Sequence, residues 1–158
     1  MKRLLALLYL LMFTTLINAQ NNAWAEKSLD ELLIIFKEKV ETYGNMMNGS
    51  ISYQVSPEFN SNGYIQICEN VSGSNPDWYD INLAKASFGT SVQVLVTGKE
   101  NFLLSFDKSI TTRRKNDKAK TFDVAFFKKK DKRDIDHKEL IKDINELMIL
   151  MISKSQSR

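Results

Sequence analysis

Acids beside aromatic rings bring this sequence closest to a reaction. Asp77 and Asp80 flank Trp78 and Tyr79 directly after Pro76, offering two carboxylates next to rings on which a sugar stacks. Glycoside cleavage requires the two acids to face each other across the scissile bond at a defined separation. Spacing along one strand does not supply that, and the ordinary reading is a strand entry whose aromatics turn into the core. A second grouping, Asp134, Asp136 and His137, has the donor types of a minimal metal half-site. His137 is the only histidine and Cys68 the only cysteine, far away in sequence, so a zinc ion would need further carboxylates. Asp136 is also wanted as a helix cap, and a first-turn histidine on the apolar side of a helix packs more often than it ligates. Cys68 has no partner for an intramolecular disulfide, and a nucleophilic thiol needs a basic neighbour that the sequence does not place beside it. There is no G-x-S-x-G, no phosphate-cradling glycine loop and no Cys-x-x-Cys, so hydrolase, nucleotide-binding and thioredoxin-like readings lack support. No catalytic residue, metal ligand or cofactor is nominated, and binding is favoured over catalysis.

The charges say more. The chain has 158 residues and a formal charge of +3, which falls to +1 once Lys2 and Arg3 are set aside. Residues 20–98 hold 4 basic and 9 acidic side chains, whereas residues 99–158 hold 16 and 10. Net charge therefore predicts little, but its distribution is lopsided. Arg113, Arg114, Lys115, Lys118 and Lys120 gather around one expected turn. Lys128, Lys129, Lys130, Lys132 and Arg133 gather between the last expected strand and the last expected helix, beside Phe127. If residues 119–129 form a strand, the two groups stand about 30–35 Å apart. They do not make one phosphate clamp, but an elongated anionic polymer or an acidic protein would touch both, with Arg113, Arg114, Lys115, Lys118, Lys128, Lys129 and Lys130 as the contact residues. The competing use of such lysines is to guard strand edges and keep an aromatic hairpin in solution.

Those residues must be held by an α+β domain. A helix is expected from Ser28, where Glu31 permits a capping box. Leu29, Leu32, Leu33, Phe36, Val40, Tyr43 and Met47 share one arc of it, and Gly44 is expected to end it in a left-handed conformation. Ile34 and Ile35 lie off that stripe. A second helix is expected near Asp136, with Glu139 at capping-box spacing and Ile135 and Leu140 as a hydrophobic staple. Leu140, Ile144, Leu147, Met148 and Met151 share its face; Ile149 and Leu150 point elsewhere, and wrapping on both sides is the expected outcome.

Between the helices, period-two alternation marks six strands: Ile51 to Val55, Ile65 to Val71, Tyr79 to Leu83, Val92 to Val96, Phe102 to Phe106 and Phe122 to Phe126. Turn signals at residues 60–63, 98–101 and 115–118 suit hairpins, with a looser loop over 71–77. The expected fold is thus an N-terminal helix, a mainly antiparallel meander of about six strands, and a C-terminal helix packed on one face.

Composition agrees with this. Hydrophobic residues make up 43% and charged residues 26%, which excludes disordered, collagen-like and disulfide-framework chains. Lys2 and Arg3 followed by apolar Leu4 to Phe13, with Ala19 before Gln20, have the pattern of a signal peptide over residues 1–19, leaving 20–158 as one domain. Export to a periplasm or the extracellular space is expected, with no membrane span after cleavage. Asn48 and Asn70 stand in glycosylation sequons, which matter only in a eukaryotic secretory route. A second functional reading is an apolar-ligand carrier with a pocket between sheet and helices, lined by Phe102, Phe106, Phe122, Phe126, Met148 and Met151.

Overall fold

The structure is a computed structural model that describes residues 24–46, 50–94, 100–112, 117–127 and 137–157. Residues 1–19, where a signal peptide is expected, the basic residues 113–115 and 128–130, and Asp134 and Asp136 lie outside these ranges.

Helix α1 (Leu29–Tyr43) begins where the sequence says it should. Ser28 Oγ accepts from the Glu31 N–H at 3.2 Å, and Glu31 accepts from the Ser28 N–H at 2.7 Å, closing the capping box. These bonds also hold the Glu31 carboxyl below its ordinary pKa. The helix ends at Gly44, but not in the expected left-handed conformation: Gly44 is extended, with φ −70° and ψ 116°. Its N–H donates to the Val40 carbonyl at 2.7 Å, and a Cβ at this position would come within 2.4 Å of that same oxygen. Glycine serves here by close approach, and the chain passes directly into β1 (Asn45–Met46).

The strands that follow are β2 (Ile51–Val55), β3 (Ile65–Val71), β4 (Asp77–Ile81), β5 (Ser87–Val94), β6 (Glu100–Thr112) and β7 (Asp117–Phe127). Helix α2 (His137–Gln156) closes the order. Strands β2, β3 and β4 form one antiparallel meander and β5, β6 and β7 another. β1 joins them, antiparallel to β2 and parallel to β7. The six expected strands are present, with bounds moved: β4 stops at Ile81, leaving Leu83 buried in the following turn, β5 starts at Ser87, and Asn101 lies within β6 rather than in a turn.

The sheet is not an open meander, because it curls until β4 meets β6. Residues 79–81 of β4 pair with 112–110 of β6, while residues 87–94 of β5 pair with 107–100 of the same strand. β6 thus gives one edge first to β5 and then to β4, with β7 along the other. The change of partner falls at a register shift between Asp107 and Ile110, where Lys108 and Ser109 both take positive φ, 64° and 52°. Two consecutive left-handed non-glycine residues cost about 1–2 kcal/mol each, and the bend they make is what lets the sheet close.

Both helices cover the concave face. Leu32, Leu33, Phe36 and Val40 of α1 and Ile144, Leu147, Met148 and Met151 of α2 are fully buried in one cluster with Ile65, Ile67, Ile81, Phe102, Leu104, Phe106, Ile110 and Val124. Each such side chain contributes roughly 1.5–3 kcal/mol. The bridge between the helices, Lys39 Nζ to Asp143 Oδ2 at 2.6 Å, is half-buried, and the cost of desolvating both ends leaves a net worth of about 1 kcal/mol. Apolar burial therefore sets the docking, and the ion pair orients it. The residues off the two stripes divide: Ile35 and Leu150 pack against the core, but Ile34 and Ile149 stay 56% and 60% exposed. The end of α2 is accordingly covered on one flank only.

Candidate functional site

Pairing across β2, β3, β4 and β6 lays the inward side chains out in rows. Ile65, Ile81 and Ile110 make one; Val55, Ile67, Tyr79 and Thr112 the next; Tyr53, Glu69 and Asp77 the third. Polarity thus rises towards one end of the concave face, and the third row carries two acids directly opposed on neighbouring strands. Such positions bring Cβ atoms to about 4.5–5.5 Å.

Burial raises the pKa of Glu69, and the facing Asp77 carboxylate raises it further, while the Tyr79 hydroxyl, which donates to Glu69, offsets part of this. The exposed Asp123 adds to the same negative field. Tyr53 is 2% exposed and its pKa is pushed up to about 12, first by burial. Its hydroxyl accepts from the Ala125 N–H at 3.3 Å. That bond answers a gap in the sheet, since β1 pairs with β7 only at Phe126 and leaves the adjoining amide to find another acceptor. Below the row, Phe122 stacks on Tyr79 at 4.0 Å and meets Tyr53 edge-on at 6.4 Å. Asp77 Oδ1 and Thr112 Oγ1 are buried with no hydrogen-bond partner among the described residues. The arrangement sets two carboxyl groups side by side, with the Glu69 pKa raised by burial and by its neighbour Asp77.

This pair is not the one the sequence brings forward. Asp77 and Asp80 are three apart on one strand and so face opposite ways: Asp77 looks inward at Glu69, whereas Asp80 looks outward and accepts from Gln66 Nε2 at 2.7 Å. The two acids do not flank a common bond. Glu69 was legible only as a charged residue in the inward register of Ile65 and Ile67, a slot that alternation reserves for apolar side chains.

Cys68, on the outer face of β3, is buried; its Sγ lies 3.5 Å from Asn70 Oδ1, to which the thiol donates, and burial, then Asp77 and Glu69, push the thiol pKa up. That environment disfavours the thiolate. His137 opens α2, and its side chain lies outside the described residues. Among the described residues, no three histidine, cysteine or acidic side chains gather as metal ligands, and no helix is long and apolar enough to cross a membrane. The aromatic side chains expected to line a pocket stack on one another, Phe102 with Phe126 at 5.1 Å and Phe106 with Phe122 at 6.4 Å, inside the core that includes Met148 and Met151.

Of the expected contact residues, Arg113, Arg114, Lys115, Lys128, Lys129 and Lys130 fall outside the described residues, and Lys118 has its backbone in β7. The strands that flank them are described. The first group follows Thr112, which pairs with Tyr79 beside the acidic row, and the second follows Phe127 at the far end of β7. Compared with known proteins, the chain matches no family model, no curated protein sequence and no solved structure.

Proposed function

We propose that this is a small exported binding protein with no reaction of its own, recognising an anionic polymer or an acidic protein through the basic residues at the two ends of β7. Arg113, Arg114, Lys115 and Lys118 form one contact and Lys128, Lys129 and Lys130 the other. The observation that carries the reading is charge segregation: 16 of the 20 basic residues after residue 19 lie beyond residue 98. The β6–β7 hairpin supports it, since the 11 residues of β7 separate its ends by roughly 33 Å, a span suited to an extended ligand. Thr112, which precedes the first group in sequence, pairs with Tyr79 on the strand that carries Asp77, so the larger share of binding is assigned to the second group.

The test uses heparin and polyglutamate as the polyanionic and the acidic-polypeptide probe. Affinity for the preferred probe is expected to fall steeply between about 50 and 200 mM salt through release of counterions. Reversing Lys128, Lys129 and Lys130 to glutamate is expected to weaken binding at least tenfold and to lower the salt slope by up to about three. Binding indifferent to salt, or unchanged by the reversal, overturns the proposal.

A further inference from the structure

Closure of β4 onto β6 leaves β5 as an open margin, whereas β7, whose outer edge meets β1 only at Phe126, carries Asp117, Lys118, Lys120 and Asp123 along its length. Among the described residues β5 pairs with β6 alone. Natural sheets guard such margins with charge, proline or a bulge. β5 has none of these: it reads SFGTSVQV, and its register with β6 is unbroken from Ser87 to Val94. Ser87, Gly89, Ser91, Val92 and Gln93 are exposed.

Helix α2 fixes what lies above this edge. The Thr90 hydroxyl donates to Asn145 Oδ1 at 3.2 Å, and Gln156 Nε2 donates to the Ala84 carbonyl at 3.5 Å. As the strand is followed back from 90 to 84 the helix advances from 145 to 156, so the two run antiparallel. Ile149 comes one turn after Asn145, about 6 Å along the axis, which is nearly two strand residues and brings it level with Phe88. Val92 is two residues the other way from Thr90 and shares its face. Two apolar side chains, 52% and 60% exposed, thus stand on either side of the Thr90–Asn145 contact.

We infer that two copies of this chain join antiparallel along β5 into one continuous sheet, with the two-fold axis at Thr90. In that register Val92 of one copy lies opposite Phe88 of the other, at the level of the partner's Ile149. Each exposed residue covers its complement, and the contact occurs twice, as an isologous interface requires. The absence of charge on β5 means that no like charges meet when the strand faces itself. Other interfaces would leave Val92 and Ile149 without a reason to be placed symmetrically about one point of an unguarded edge.

Light scattering after gel filtration, and sedimentation over about 1–100 μM, test this on the full chain. Twice the protomer mass is expected. Val92→Lys and Ile149→Lys are each expected to weaken dimerisation at least tenfold with the far-ultraviolet circular dichroism unchanged, because both side chains are exposed in the protomer. Amides of β5 are expected to exchange faster with deuterium on dilution. A single-protomer mass throughout, a mass growing past two protomers with concentration, or a dimer that survives in the Val92→Lys, Ile149→Lys double variant overturns the inference. None of these readouts depends on polyanion binding.

Discussion

Tyr53 serves this molecule through its oxygen as well as through its ring. Removing the hydroxyl leaves the Ala125 N–H buried and unpaired, so Tyr53→Phe is expected to lose about 1–3 kcal/mol in urea denaturation, although the ring still meets Phe122. Glu69 gives a prediction of opposite sense. Its folded pKa is raised, so just above the ordinary glutamate value the native state keeps a proton that the unfolded chain has released, and stability falls as pH rises through that window. Glu69→Gln is therefore expected to be more stable than the parent at pH 7. The gap should close in thermal melts taken below pH 4, where both forms carry the proton. Neither role was open to sequence reading. Tyr53 fits its strand as an inward aromatic, and only the shortness of β1 turns its hydroxyl into a substitute for a missing ladder bond. The opposition of Glu69 and Asp77 depends on register, which alternation within single strands does not fix.

Helix starts were legible because a cap is local: Ser28 and Glu31 announce α1, and the bonds they make lie within three residues. The six longer strands were legible from period-two alternation for the same reason. What escaped was decided at a distance or over too few residues. A two-residue β1 has no periodicity, and the meeting of β4 with β6 has no signature in either strand. The bend that permits this meeting rests on Lys108 and Ser109, residues with no preference for positive φ, and it can be tested directly. Glycine adopts that conformation without a Cβ clash, so Ser109→Gly is expected to stabilise the fold by up to about 1 kcal/mol, measured by chemical denaturation. Ser109→Val should destabilise it by at least as much. A null result in both would show that this bend stores no strain.

Seen entire, the protein has an acidic concave end, a neutral open edge and basic residues at the two ends of one strand, and its two binding proposals use different parts. Triple reversal at Lys128, Lys129 and Lys130 should weaken the salt-sensitive interaction while leaving the oligomeric mass alone, and Val92→Lys should do the converse; loss of both by either change would place them on one surface. Much of the apolar core follows local hydrophobic pattern, but Val71 and Val92, which share that pattern, stay 37% and 52% exposed, and the use of an open edge could be seen only once the order of strands was known. That order also has a consequence for synthesis. β6 is the common neighbour of β4, β5 and β7 and enters only at residue 100, so a growing polypeptide that has emitted its first two-thirds owns a helix and a short sheet but nothing to seal them. The greasy residues between Leu29 and Leu83 stay accessible to chaperones through most of translation, and a fragment cut before Thr112 yields no miniature of the whole.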